Sequence, residues 1–244
     1  MARIFRKLDP LPDRCHVLLI GAPRSGTTLL ASMIARHSEV SMINEDVTGR
    51  VLRKLLGRSV TGNKLCVPNQ IQLDRKSGFG SRLLKNLGLI REAPRSKYSI
   101  TDYLELPNLK VIAIMRDGND SISSMVSRGG SGLKKAARRW GEAIETIWKI
   151  KCRHETRILI VMFEDLVSSP ENTIQKACRF LDLDFQAQML DGHKHNPYYP
   201  EAELKKDRAH RHKMEKIDLG VERLVPAAFQ KYQELSAYVQ EKRS

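Results

Sequence analysis

Residues 16–30 read HVLLIGAPRSGTTLL and are the part of the chain most informative about its fold. An apolar run from Val17 to Ile20 leads into a loop bounded by Gly21 and Gly26, which leads in turn into a helix-forming segment. A strand, a glycine-bounded loop and a helix in this order are typical of phosphate-binding loops in parallel α/β sheets, where backbone N–H groups and a helix N-terminus hold an anion. The alternative is a plain strand-to-helix turn that contains two glycines by chance.

The loop departs from the nucleoside-triphosphate pattern at one position. In Gly-x-x-x-x-Gly-Lys-[Ser/Thr] the lysine reaches the terminal phosphates and the hydroxyl binds Mg²⁺. Here the lysine position is Thr27, the hydroxyl position is Thr28, and the positive charge lies three residues earlier, at Arg24. We therefore expect the loop to hold one compact anionic group near the helix N-terminus.

The loop sequence GAPRSGTTLL, residues 21–30, resembles the 5′-phosphosulfate loop of sulfotransferases that use 3′-phosphoadenosine 5′-phosphosulfate (PAPS), especially the bacterial and tyrosylprotein branches. The resemblance implies PAPS as cofactor, with 3′,5′-ADP as product, and a reaction that needs no metal. It also implies that eight loop residues bind the 5′-phosphosulfate: Gly21, Ala22, Pro23, Arg24, Ser25, Gly26, Thr27 and Thr28.

A second motif resembles the family's site for the 3′-phosphate of PAPS. It follows an apolar run at 109–115 and consists of Arg116 and, eight residues later, Ser124. A guanidinium offers a fork of donors to a phosphate, and a hydroxyl adds another. The alternative is a strand end followed by a capped helix, in which Arg116 pairs with Asp120.

A third block, LIVMFEDLVSSPE at residues 159–171, is similar to the family's strand, Tyr-Glu-Asp-Leu and proline-started helix. Phe163 stands where the family usually has tyrosine, so the hydroxyl for one polar contact near the nucleotide is missing. Pro170 suits the first position of a helix. Glu164 and Asp165 are interpreted as structural residues.

The general base is expected among the residues that follow the first helix. Residues 37–46, HSEVSMINED, resemble a family stretch with an acidic residue at the mouth of the site. In the tyrosylprotein branch the catalytic glutamate lies twenty-one residues beyond the loop arginine, which corresponds here to Glu45. The resemblance therefore implies that Glu45 takes the acceptor's proton. Glu39 and Asp46 are the rival carboxylates, and the histidine base of other branches has no matching motif.

A basic group for the leaving oxygen is expected at residues 62–65, which read GNKL. They resemble the family's Asn-Lys-Asp-Pro element, whose lysine lies beside the transferred group. The resemblance implies that Lys64 and Arg24 together stabilise the leaving oxygen. A solvated surface lysine is the alternative.

The alternation of strands and helices predicts an α/β fold, a parallel sheet of about four to five strands that contains the phosphate-binding loop and has helices on both faces. Strands are predicted at 16–21, 109–115 and 157–163, with one more in 58–108, and helices at 27–37, near 45–57, and at 118–128, 133–152, 170–182 and 221–241. Residues 1–244 are expected to form a single domain, with a substrate-specificity insert at about 46–108 and a C-terminal lid and helix at about 190–244.

Composition limits the classes of partner. The net charge of +14 favours acidic partners such as PAPS and an acidic glycan or peptide acceptor, whereas the lack of interleaved aromatic residues disfavours nucleic acid. No apolar run approaches a membrane span and no signal peptide is visible, so a cytoplasmic protein is expected. The pairs His193/His195 and His210/His212 lack companion ligands, so no metal site is predicted.

Together these features predict an enzyme that transfers a sulfuryl group from PAPS to a hydroxyl of a glycan, a peptide tyrosine or a small metabolite. A small-molecule kinase would share the strand, loop and helix, but it should need Mg²⁺ and a lysine at position 27. A basic nucleotide-binding module that has lost its activity is the other alternative.

Overall fold

The structure is a computed structural model, and it describes residues 15–49, 58–74, 96–195 and 218–242. Its centre is a five-stranded parallel sheet in the order β2-β3-β1-β4-β5. The strands are β1 Cys15–Gly21, β2 Val40–Asn44, β3 Val60–Cys66, β4 Leu109–Met115 and β5 Ile158–Met162. The predicted α/β class is therefore confirmed, and β3 is the additional strand expected in 58–108.

Helices cover both faces of the sheet. They are α1 Thr27–Ile34, α2 Ile100–Leu104, α3 Gly118–Gly129, α4 Leu133–Arg153, α5 Phe163–Ser168, α6 Pro170–Leu181, α7 Val221–Leu224 and α8 Pro226–Glu241, with 3₁₀ helices at Glu155–Arg157 and Ala187–His195. None of the helices in the described parts of the chain is both long and apolar enough to cross a bilayer.

The strand β1 shows how the sheet separates two cores. Leu18 and Ile20 belong to a core that includes residues of α4 and α8, whereas Val17 and Leu19 belong to a core that includes residues of α1 and α6. Successive side chains of a strand point to opposite faces, so a strand buried on both faces is apolar at every position. This is why the run from Val17 to Ile20 is continuous rather than alternating.

The chain leaves β1 and β4 in opposite directions. After β1 the chain passes through α1 to β2, at one edge of the strand order. After β4 it passes through α3 and α4 to β5, at the other edge. Because β1 and β4 are neighbouring parallel strands, this creates a topological switch point at their carboxyl ends. Open α/β sheets bind their ligands in the crevice at such a point.

Three predicted helices differ from the structure by more than one residue. The helix predicted near 45–57 is wrong over residues 45–49, where Glu45 has a left-handed backbone (φ 65°), and residues 50–57 lie outside the described residues. The first helix ends at Ile34 rather than near residue 37. The helix predicted at 221–241 is two helices, because Pro226 cannot continue the hydrogen bonding of α7.

The strand β2 is not among the predicted strands, because its half-buried sequence VSMIN has neither a long apolar run nor a regular alternation. The His-rich segment of the predicted lid falls mainly at 196–217, which lie outside the described residues.

Candidate active site

The candidate site lies where three neighbouring strands end. Gly21, the last residue of β1, is in register with Cys66 of β3 on one side and with Ile114 of β4 on the other. The loop after β1, the end of β3 and Arg116 after β4 therefore share one edge of the sheet. The two motifs predicted to bind the ends of one nucleotide are on adjacent strands.

The glycines of the loop are required by close contacts. A Cβ on Gly21 would lie 2.6 Å from the Ile114 carbonyl oxygen and 2.6 Å from the Ser25 Oγ. Gly26 has φ 94° and begins α1 without a side-chain cap. The first N–H groups of a helix need partners from elsewhere when no side chain caps them. The start of α1 is therefore suited to an anion.

Arg24 connects the loop to the second motif. Its Nε donates to Ser124 Oγ at 3.2 Å, and its own carbonyl oxygen accepts from Arg116 Nη1 at 3.4 Å. Arg24, like Gly26, has a positive φ, here 69°. The structure thus brings together the loop and both residues predicted to hold the 3′-phosphate.

Arg116 has features of both interpretations of its motif. Its Nη2 lies 3.1 Å from Asp120 Oδ2, and Asp117 caps α3, as the structural interpretation predicts. However, its Nε is buried and has no hydrogen-bond partner among the described residues. Buried donors are nearly always paired, so an orphaned guanidinium N–H beside the loop fits a phosphate oxygen.

Phe163 contributes to the site in a way that the sequence did not indicate. Its ring centre lies 4.5 Å from the Arg116 guanidinium carbon, and a Cβ on Gly26 would lie 2.5 Å from its Cδ2. A guanidinium over an aromatic face is held by the ring's electrostatic field. One aromatic ring therefore contacts both the loop and the arginine of the second motif.

The backbone at the end of β4 is fixed from two directions. The Trp140 indole N–H donates to the Arg116 carbonyl at 3.2 Å, and Glu164 Oε1 accepts from the Asp117 N–H at 3.0 Å. Burial raises the pKa of Glu164, and the hydrogen bond from Asp117 opposes this only in part. These contacts agree with the interpretation of Glu164 as structural.

Lys64 and Glu45 form an ion pair at the end of β3. Lys64 Nζ lies 2.6 Å from Glu45 Oε1, and the side chains are 1% and 34% exposed. Lys64 is therefore not the solvated surface lysine of the alternative interpretation. A cation buried this deeply requires its partner, because desolvating an unpaired charge is costly.

Cys66 joins this ion pair to the loop. Its sulfur lies 3.7 Å from Thr27 Oγ1, and the next residue, Val67, donates its N–H to the Gly21 carbonyl at 2.9 Å. Burial raises the pKa of the Cys66 thiol, while the charge of Lys64 and the Thr27 hydrogen bond lower it. Thr27 occupies the position that is lysine in nucleoside-triphosphate loops, and its side chain is buried against Cys66.

The rival carboxylates have other contacts. Glu39 precedes β2, at the opposite edge of the sheet, and its Oε2 accepts from Ser59 Oγ at 2.7 Å. Asp46 Oδ1 accepts from both the N–H and the hydroxyl of Thr48, at 2.8 and 2.6 Å. Of the three acidic candidates, Glu45 is the one paired with Lys64.

Backbone strain marks the same residues. Three non-glycine residues in the described parts of the chain have positive φ, namely Arg24, Glu45 and Asp182. Asp182 is the C-cap of α6, a common place for this conformation. For the other two, the left-handed backbone costs about 1–2 kcal/mol each, and such strain concentrates at functional sites.

Comparisons with known proteins agree with this geometry. A family model described as a sulfotransferase domain matches residues 14–223. Protein-tyrosine sulfotransferase 1 of Danio rerio is 28% identical over 207 residues, which cover 77% of this chain and 57% of that protein.

Two solved structures share the fold. The sulfotransferase domain from the Synechococcus PCC 7002 olefin synthase has a TM-score of 0.62 at 16% identity, covering 93% of this chain and 96% of that one. Mouse sulfotransferase SULT7A1 complexed with PAP has a TM-score of 0.50 at 15% identity, covering 81% of this chain and 72% of that one.

The chain spans about half the length of the curated relatives it matches. The sulfotransferase family model, in contrast, matches most of this chain, and the match extends from β1 into α7. The chain therefore belongs to the sulfotransferase domain family.

Proposed function

We propose that this chain transfers a sulfuryl group from PAPS to a hydroxyl of an acceptor. The observation that carries the proposal is the contact between the two anion-binding motifs, in which Arg24 donates to Ser124 and Arg116 donates to the Arg24 carbonyl. A ligand that fills both motifs needs two anionic groups, and PAPS has one on the 5′ oxygen and one on the 3′ oxygen of its ribose. A structural neighbour complexed with PAP further supports this nucleotide.

The residues divide into a binding set and a reacting set. The loop of residues 21–28, through backbone N–H groups at the start of α1, would hold the 5′-phosphosulfate, while Arg116 and Ser124 would hold the 3′-phosphate. PAPS supplies the sulfuryl group and a phosphate oxygen that leaves with negative charge. Arg24 and Lys64 provide positive charge for that oxygen, in a site where burial weakens screening.

Glu45 is the proposed general base. Its carboxylate accepts the hydroxyl proton of the acceptor as the acceptor oxygen bonds to sulfur, so that no alkoxide has to form first. The contact with Lys64 Nζ at 2.6 Å fixes the direction of the carboxylate. Because several relatives are protein-tyrosine sulfotransferases, a tyrosine peptide is the first acceptor to test.

Kinase chemistry is not favoured by the loop. The lysine that would reach the terminal phosphates is replaced by Thr27, which is 4% exposed and packed against Cys66.

The test is an incubation with radiolabelled PAPS and a panel of tyrosine peptides, saccharides and phenols, with Mg²⁺·ATP as the competing donor. We expect label transfer from PAPS without metal and no phosphate transfer from ATP. Glu45→Gln should lower kcat by roughly 10²–10⁴-fold, whereas Glu39→Gln, at the opposite edge of the sheet, should leave kcat unchanged. Transfer from ATP, or a fully active Glu45→Gln variant, would contradict the proposal.

A further inference from the structure

Asn63 is a buried amide next to the proposed reacting residues. It precedes Lys64 on β3 and is 1% exposed. Its Oδ1 accepts from the Asp46 N–H at 3.2 Å, and its Nδ2 donates to the Asp46 carbonyl at 2.9 Å. The remaining Nδ2 hydrogen is directed to Tyr103 Oη at 3.3 Å. The orientation of the amide is fixed, because only its oxygen can accept from an N–H and only its NH₂ can donate to a carbonyl.

This arrangement extends the pairing of β2 with β3 beyond the end of the strands. The register of the two strands ends at Asn44 and Lys64, and the Glu45 N–H then donates to the Lys64 carbonyl at 2.9 Å. One residue further along, the Asn63 side chain binds both backbone groups of Asp46. Glu45 is therefore held by hydrogen bonds to its own N–H and to both backbone groups of the following residue.

Glu45 needs this support because of its backbone conformation. Its φ of 65° is in the left-handed region, which glutamate rarely adopts. Such a conformation persists only where the surroundings impose it. If the backbone relaxed to an extended conformation, the side chain would swing away from Lys64.

We infer that Asn63 is a positioning residue for Glu45, which it holds through the backbone of Asp46 in the left-handed conformation that brings the carboxylate to Lys64. The inference rests on the proposed role of Glu45 as general base. Asn63 itself takes no proton, and its side-chain hydrogen bonds in the described parts of the chain go to Asp46 and Tyr103 rather than to either anion-binding motif. Its effect should therefore appear in the rate of the proton-transfer step and be absent from nucleotide binding.

The experiment compares four variants with the wild-type protein: Asn63→Ala, Asn63→Ser, Glu45→Gln and the double variant Asn63→Ala/Glu45→Gln. For each, kcat and the KM for PAPS are measured with one acceptor, the Kd for 3′,5′-ADP by calorimetry, and folding by circular dichroism. Tyr103→Phe is the matched control, because it removes a buried hydrogen bond of Asn63 and keeps both contacts with Asp46.

We expect Asn63→Ala to lower kcat by about 10–100-fold, the scale of a small misplacement of a catalytic group. The Kd for 3′,5′-ADP should stay within about twofold of the wild-type value, since Arg116 follows β4, on the far side of β1. The double variant should be no slower than Glu45→Gln alone, because groups that act as a unit are not additive. Tyr103→Phe should keep kcat within about threefold.

The outcomes separate this inference from the proposed function. A fully active Glu45→Gln variant refutes the base assignment and the inference with it. A slow Glu45→Gln variant that loses a further tenfold or more on adding Asn63→Ala leaves the base assignment intact and overturns the inference. Unchanged kcat in Asn63→Ala overturns it as well. Should Asn63→Ala fail to fold, Asn63→Ser, which is too short to reach both Asp46 groups, decides by the same criteria.

Discussion

Replacing Arg116 should remove the protein's ability to recognise a 3′-phosphate while leaving its affinity for a 5′-phosphate intact. The guanidinium has a buried Nε without a partner among the described residues, and its Nη1 makes only a long bond of 3.4 Å to the Arg24 carbonyl. Both N–H groups are therefore available for stronger partners. Arg116 is 8% exposed, so solvent screens these contacts little.

The magnitude follows from these two donors. A hydrogen bond with a charged group contributes about 1.5–3 kcal/mol. The lower value applies here, because Asp120 Oδ2, 3.1 Å from Nη2, already neutralises part of the charge. Two such bonds give roughly 3 kcal/mol, which corresponds to about a hundredfold in Kd.

The assay is isothermal titration calorimetry in metal-free buffer with two ligands, 3′,5′-ADP and 5′-AMP, which differ only in the 3′-phosphate. The wild-type protein should prefer 3′,5′-ADP by about a hundredfold, and Arg116→Ala should bind both ligands with nearly the same Kd. Binding of 5′-AMP should be equal in the two proteins. Asp120→Asn is the matched control, since it breaks the ion pair and keeps the guanidinium, and its affinity for 3′,5′-ADP should not fall.

Two results would contradict recognition of the 3′-phosphate by Arg116. If Arg116→Ala keeps the hundredfold preference for 3′,5′-ADP, the 3′-phosphate is bound elsewhere. If the variant loses affinity for both nucleotides equally while its circular dichroism is unchanged, Arg116 supports the loop through the Arg24 carbonyl and does not recognise the 3′-phosphate.

Three further predictions concern stability. The Glu45→Gly variant should be more stable than the Glu45→Ala variant by about 1 kcal/mol, or about 2–4 °C in Tm. Both variants lack the carboxylate, but only glycine adopts φ 65° without strain. Equal Tm values would show that the backbone at residue 45 is not strained. The Gly26→Ala variant should be less stable by roughly 1–3 kcal/mol, because the added Cβ would clash with the Phe163 ring and the backbone φ of 94° is strained for alanine. Urea unfolding measures this difference, and an unchanged midpoint would count against the contact with Phe163. Burial raises the pKa of Glu164 from 4.5, so the folded state binds the Glu164 proton more tightly than the unfolded state does. The free energy of unfolding should therefore fall as the pH rises from about 4.5 through the raised pKa. Glu164→Gln keeps the acceptor for the Asp117 N–H and should remove that fall, which unfolding free energies between pH 5 and 8 would reveal.

The three apolar strands could be predicted because each is buried on both faces. β1, β4 and β5 occupy the centre and one side of the sheet, and their sequences are nearly continuous apolar runs. β3 lies equally deep, but it carries Thr61, Asn63 and Lys64, all buried. These polar residues, of which Asn63 and Lys64 belong to the site, interrupt the apolar pattern, so the sequence placed this strand only within 58–108.

The residues of the candidate site were easier to predict than their contacts. The spacing of the glycines indicated the loop, and the family resemblance, through the distance from Arg24, implied Glu45. The contact between Arg24 and Ser124, in contrast, depends on β4 lying next to β1. The ion pair of Glu45 and Lys64 likewise depends on β2 pairing with β3. The order of the strands depends on how the helices pack on the two faces of the sheet. It could therefore not be predicted from the sequence patterns.

The order of the strands also explains why binding and reaction should be separable in this protein. β3 carries Asn63 and Lys64 on one side of β1, and β4 leads to Arg116 on the other side. Neighbouring strands are about 4.8 Å apart, so the two groups are anchored roughly 10 Å from each other across the sheet. The loop after β1 lies between them, where Cys66 of β3 contacts Thr27 and Arg116 donates to the Arg24 carbonyl. A change at β3 should therefore alter kcat without altering the Kd of the nucleotide, and a change at Arg116 should do the reverse, whereas a change in Arg24 or Gly26 should affect both.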